Sequence, residues 1–197
     1  MDRPKLLEIL NSQVANKNIV KHMFATEACM GALARGLKIK NEKLKIKEEI
    51  REEEWTLAGL MHDGDYRDDV PVEKQGVEIV EILKDKGIDM PENVAHAMAA
   101  HNWHNTGVEP KSLLDWSLFC CDSLTGLIVA TTLVLPSRKL ADVTVERVMN
   151  RFKEKSFAKG TRREEIALCK EKLGIKLEEF IGICLKAMQG ISKELGL

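Results

Sequence analysis

The sequence predicts an all-α fold, a single domain over residues 1–197 with about eight helices. Three observations predict it. Apolar residues recur at helical spacing along most of the chain, and the strict alternation of a half-buried strand is almost absent. Gly36, Gly87, Pro136, Gly160 and Gly174 stand where the periodic segments stop. The chain of 197 residues, 44% apolar and 31% charged, is long enough for one sizeable core and short for two. No repeat, low-complexity segment or linker divides it.

The elements follow in order. Residues 3–12 read as a short helix. A second is expected over about 17–36, ending at Gly36 with Arg35 in its last turn. The charged segment NEKLKIKEEI, 41–50, reads as a solvated loop leading into a helix at roughly 51–62. HDGDYRDDVP is rich in Asp with a Gly and a Pro, the composition of a loop. Helical spacing resumes over 72–87, and Pro91 suits the first turn of a helix that reaches His101. NWHNTGVEP reads as a loop. A long apolar helix is expected over about 111–134, stopped by Pro136. The C-terminal region, 142–197, carries three more amphipathic helices with breaks near Gly160 and Gly174, as part of the bundle or as a cap on it.

Bulk chemistry excludes several classes of function. Lys and Arg number 30 against 31 Asp and Glu, so nothing points to a nucleic-acid polymer or an anionic membrane as partner. The five cysteines form no CxxC pattern, and four of them lie in apolar helical runs. They read as small core hydrophobes of a reduced, cytoplasmic protein. The apolar run from Leu124 to Leu135 contains three Thr and a Gly and is too short to span a bilayer, and MDRPKLLEIL lacks the apolar stretch of a signal peptide. The apolar helices near Leu127 and Ile181 can serve either the core or a homodimer interface.

Four residues carry the chemistry. His22 lies one helical turn from Asn18, Ile19, Ala25 and Thr26; taken alone it reads equally as a core histidine bonded to a carbonyl. His62 and Asp63 follow the apolar segment WTLAGLM, where a buried helix meets a polar loop. Ala58 and Gly59, one turn back, leave room beside the His62 ring. The pair can ligate one ion from a helix end, or serve as a bonded His followed by a capping Asp. Asp122 stands inside SLFCCDSLTGLIVA, with no Lys or Arg within a turn. A carboxylate in such a run is costly to bury unless it is paired, and a bound cation is the natural partner.

In order these residues spell H…HD…D on successive helices. With AGLMHDGDY, AHAMAAHNWH and CDSLTGLIVA, the chain resembles the HD-domain superfamily of metal-dependent phosphohydrolases over about residues 17–135. The tail segments FAKGTRREEI and LEEFIGICLKAMQ extend the likeness to a group of small HD-domain hydrolases. The resemblance implies an HD-type helical bundle with its metal-binding core in 17–135. It also implies that His22, His62, Asp63 and Asp122 are the metal ligands. Two imidazoles and two carboxylates suit Mn, Fe, Zn, Ni or Co better than Mg. The implied activity is hydrolysis of a small phosphorylated substrate, a phosphate mono- or diester with nucleotides among the candidates, by metal-activated water. Asp63 and Asp65 are the candidate catalytic carboxylates, Asp65 as general base or water-positioning group.

The chain also departs from the family's pattern. Many two-metal HD proteins carry a His shortly after the HD loop, where Gln75 stands here, which argues against a second ion and against a di-iron oxygenase. A regulatory module that keeps its metal without catalysis is the other alternative. His101, His104, Arg138, Lys159 and Arg162 are the candidate substrate-binding residues. Lys153, Lys155 and Arg163 belong to the same basic run, which also reads as a solvated face. Gly64 reads as a flexible joint, and Trp103 as a wall of the pocket. Thr161 and Glu164 read as a helix N-cap and its capping box.

Overall fold

The computed structural model describes residues 2–44 and 49–197 and is all-helical. Eight helices of eight or more residues build it: α1 (Arg3–Gln13), α2 (Lys17–Leu44), α3 (Glu52–Met61), α4 (Glu78–Asp85), α5 (Glu92–His101), α6 (Leu113–Leu133), α7 (Val145–Lys153) and α8 (Leu177–Gly190). Single-turn helices at Trp103–Thr106, Arg163–Ala167, Cys169–Lys172 and Ser192–Leu195, and 3-10 turns at Val72–Lys74 and Leu140–Asp142, complete the described chain. Helix α2 packs against α3, α6 and α8, and α6 packs against α2 and α5. One hydrophobic cluster runs from Leu6 to Leu195 and draws on both the 17–135 and the 142–197 regions.

Helix α6 lies at the centre because its sequence is apolar on every side. Its start is fixed by a capping box: Ser112 Oγ accepts from the Asp115 amide at 3.1 Å, and Asp115 Oδ2 accepts from the Ser112 amide at 3.0 Å. The same carboxylate meets His96 Nδ1 at 3.0 Å, which ties α5 to the head of α6 and gives His96 a structural place. Among the described residues, α6 is the one helix long and apolar enough to cross a membrane. Most of its apolar stretch is buried inside the protein, with Leu127 and Leu124 fully enclosed. Ile181 on α8 is likewise fully buried, so Leu127 and Ile181 serve the core rather than an interface. All five cysteines are free and buried.

Four boundaries differ from expectation. Helix α2 does not stop at Gly36 but runs through it to Leu44. Packing beyond the glycine overrides its low propensity: Leu37 is buried, and Lys40 Nζ donates to the Gly174 carbonyl at 2.7 Å. Residues 45–48 of the expected loop lie outside the described residues. The expected helix over 72–87 is interrupted at Gly76, whose φ of +84° breaks the helical path before α4. In the expected loop 102–110, Trp103–Thr106 closes one helical turn that ends on left-handed Gly107. In the C-terminal region the chain between α7 and α8 forms two single turns rather than one helix.

Candidate metal centre

Three helices bring the cluster together: His22 comes from α2, His62 and Asp63 from the end of α3, and Asp122 from α6. The close approach of α2 and α3 depends on Gly59. A Cβ there would stand 2.8 Å from the Thr26 carbonyl oxygen and 2.9 Å from the Glu27 Cα. Gly59 therefore does not leave room beside the His62 ring; it lets two backbones touch. Its carbonyl accepts from His62 Nδ1 at 2.9 Å.

The tautomers follow from the hydrogen bonds. His62 Nδ1–H donates to Gly59, which leaves Nε2 with a lone pair. The Thr125 hydroxyl donates to the Asp122 carbonyl at 2.9 Å, so Thr125 Oγ1 accepts from His22 Nδ1 at 2.9 Å, and in the neutral ring the His22 Nε2 lone pair faces inward. The two Nε2 atoms stand 3.1 Å apart. Asp63 Oδ2 lies 3.6 Å from His22 Nε2 and 3.5 Å from His62 Nε2, and Asp122 Oδ1 lies 2.8 Å and 3.7 Å from the same atoms. The ligand atoms of His22, His62 and Asp63 all fall within 4.8 Å of one another. Acceptors crowded in this way repel unless a cation sits among them.

The donor set fits a metal ion. Ligand atoms ~2.1 Å from one transition ion stand roughly 3.0–3.4 Å apart in tetrahedral or octahedral arrangement. The separations of 2.8–3.7 Å bracket that spacing. Each imidazole is already held by its other nitrogen, the usual support of a metal-binding His. Burial alone would raise the Asp63 carboxyl, but the neighbouring His62, the bonded His101 and the nearby His22 outweigh it and hold it at about 2. Burial is likewise overcome at Asp122 by its bonded His22 and the neighbouring His62, leaving it well below the usual carboxylate range. Both carboxylates therefore bring negative charge to the cluster, a charge that a bound cation would offset. Asp122 is not the isolated buried charge that its sequence surroundings imply: its side chain is 24% exposed and paired with His22.

A fifth residue faces the cluster. His101 Nδ1 donates to the Met98 carbonyl, and Nε2 points at Asp63 Oδ1 from 3.4 Å. The His62 and His101 rings meet edge to face with centroids 4.9 Å apart. Burial lowers the His101 imidazole, but Asp63 outweighs it and raises the group above its ordinary value. Gly76 makes room for this ring, since a Cβ would stand 2.9 Å from His101 Cε1.

An open cleft of about 570 Å³ gives access to the cluster. His22, Asp63, His101 and Asp122 line it, whereas His62 is fully buried and does not reach it. Lys159 and Arg162 also line the cleft, as do Tyr66, Gln75 and Asn105. The segment that carries the two cations is fixed by Arg163. Its guanidinium donates to the carbonyls of Phe152 at 2.8 Å, Arg151 at 3.2 Å and Glu154 at 3.0 Å, and also to Phe157. Arg162 is oriented by buried Glu165, whose carboxylate also accepts from Ser123 and meets His104.

Several expected residues lie elsewhere. Asp65 is fully buried and absent from the cleft. Its oxygens accept from the Gly76 amide at 2.8 Å and 3.0 Å and from the Ile79 amide at 2.9 Å. Those bonds occupy both oxygens, so Asp65 is a fastener of the 63–79 loop and not a base for substrate or water. Asp65→Ala leaves two buried amides without acceptors and is expected to cost about 2–4 kcal/mol in denaturant unfolding while the metal content per chain stays unchanged. Arg138 is exposed at a left-handed turn (φ 50°) and does not line the cleft. His104 also stays outside it, half exposed and bonded to Glu165 at 3.0 Å. Trp103 stacks on His104 rather than walling the cleft. Lys153 and Lys155 are exposed away from it. Gly64 is buried rather than free, with a Cβ position 2.7 Å from Ile79 Cγ1. Thr161 lines the cleft, and the short helix after it starts at Arg163 without a side-chain cap.

The sequence reading missed Thr125, the Gly59 carbonyl and Glu165. The first two sit three residues from Asp122 and His62, a spacing that places them beside those side chains. Comparison adds no relative: no protein-family model, curated protein or solved structure matches the chain.

Proposed function

We propose that the protein is a metal-dependent phosphohydrolase of the HD type, acting on a small phosphate ester. The observation that carries the reading is the convergence of His22 Nε2, His62 Nε2, Asp63 and Asp122 beside a cleft that also presents Lys159 and Arg162. A divalent transition ion held by the four residues supplies Lewis acidity toward a phosphoryl oxygen and acidifies water. Asp63, which faces both rings of the cluster and lines the cleft, orients the attacking water. Lys159 and Arg162 neutralise the phosphate oxygens, Arg162 held in place by Glu165. Gln75 lines the cleft where a second imidazole would serve another ion, so the reading requires one metal.

The test combines metal analysis with turnover of p-nitrophenyl phosphate and nucleoside monophosphates. One equivalent of Mn, Fe, Zn, Ni or Co with release of inorganic phosphate is the expected result. Lys159 is exposed, so Lys159→Ala is expected to leave stability within about 0.5 kcal/mol and to lower kcat/KM roughly tenfold. A tightly held metal with no turnover on any phosphate ester makes the protein a binding module instead. Two irons with oxygen consumption make it an oxygenase.

A further inference from the structure

The cleft has a neighbour. A second cavity, about 490 Å³, is formed by α2, α6 and the segment 195–197. Its walls are mostly hydrocarbon, with Ala25, Val129, Ala130, Leu133 and Leu195 among them. The two cavities share His22 and Gly126 as lining residues, so they flank the His22 ring of the candidate metal cluster.

Gly126 lines both cavities. It stands in the interior of α6, where glycine is among the poorest helix formers. Packing does not require it, because a Cβ there would meet nothing within 4 Å. The missing side chain instead keeps the ridge between the cavities low. Leu133, at the rim, is 50% exposed, a large apolar side chain left facing solvent next to an apolar hollow.

We propose that this cavity receives the hydrocarbon part of the substrate, and that the substrate is a phosphate monoester of an apolar alcohol. The proposal rests on the phosphohydrolase reading. The phosphate lies in the cleft against Lys159, Arg162 and the His/Asp cluster, and the chain crosses α6 over Gly126. In the reaction the bond between phosphorus and the alcohol oxygen breaks, water supplies the new phosphorus–oxygen bond, and a proton passes from that water to the departing alcohol. A polyhydroxylated alcohol fits less well, because most of the lining is hydrocarbon and the side-chain partners for its hydroxyls are confined to Asn18, Lys21, His22 and Thr125.

The experiment measures calorimetric binding of n-alkyl phosphonates, ethyl to decyl, to the full chain in excess Mn(II), with phosphate release from the matching alkyl phosphates followed in parallel. Affinity is expected to rise by up to roughly three- to fourfold per methylene until the cavity is filled. The ratio of decyl to ethyl affinity is expected to collapse in Gly126→Leu, which raises the ridge between the cavities, and to shrink in Leu133→Asn. The exposed Leu133 keeps the test available if Gly126→Leu does not fold. Affinity independent of chain length, with short esters still hydrolysed, overturns this proposal alone. A chain-length gradient in binding with no phosphate released from any ester overturns the phosphohydrolase reading, and the substrate assignment with it.

Discussion

Metal is expected to raise the melting temperature of the wild-type protein, and Asp122→Ala is expected to abolish that rise. A ligand that binds only the folded state at a hundredfold its Kd stabilises by about 2.7 kcal/mol. For a chain of this size that corresponds to roughly 5–11 °C in Tm. Asp122 Oδ1 is the acceptor closest to His22 Nε2, at 2.8 Å, and it contributes one of the two negative charges that make the cluster attract a cation. Its removal leaves two imidazoles and one carboxylate, and it takes away the oxygen 2.8 Å from His22 Nε2. Scanning fluorimetry with and without Mn(II) reads the effect directly. The variant is expected to melt at the same temperature in both, and phosphate release is expected to disappear with the metal. A metal-induced rise of wild-type size in Asp122→Ala would remove Asp122 from the ligand set.

The second large effect is at Gly59, a residue with no chemistry of its own. A methyl group there meets three backbone atoms, the Thr26 carbonyl oxygen and the Glu27 nitrogen and Cα, all within 2.9 Å. Backbone in a packed helix pair yields less than a side chain does, so the cost of Gly59→Ala falls at the upper end of overpacking, about 3 kcal/mol. Unfolding is expected some 6–12 °C earlier. The functional consequence is specific. Separation of α2 from α3 moves His22 away from His62, because each ring comes from one of the two helices. Metal affinity is therefore expected to fall along with stability.

How much of this was legible in the sequence depends on how local the signal was. The helices with strong periodicity and clear stops were legible, since α5 and α6 depend on their own apolar pattern and on Pro91 and Pro136. The run of α2 past Gly36 was not, because the contacts that hold it involve Leu37 and Lys40 against distant parts of the chain. Asp122 stood out as a charge in an apolar helix. His22 had no such contrast, and only the resemblance to HD-domain proteins singled it out. Asp65 shows the limit most clearly. It stands two residues from Asp63, but its carboxylate turns the other way, toward amides 11 and 14 residues further along. Nearness in sequence sets where a side chain starts and leaves its direction to the fold. Arg138 likewise stands on a left-handed turn and does not line the cleft.

His22 is the one cluster residue that lines both cavities, with its Nε2 turned to the cluster and its Nδ1 held by Thr125 on the wall of the apolar hollow. Any molecule that settles in the hollow and shifts this ring changes the free energy of ion binding. Thermodynamic linkage then requires the ion to change that molecule's affinity by the same factor. Occupancy of the two compartments is thus a reciprocal equilibrium property of a single imidazole, readable from either side: metal affinity with the hollow filled, or apolar affinity with the ion removed.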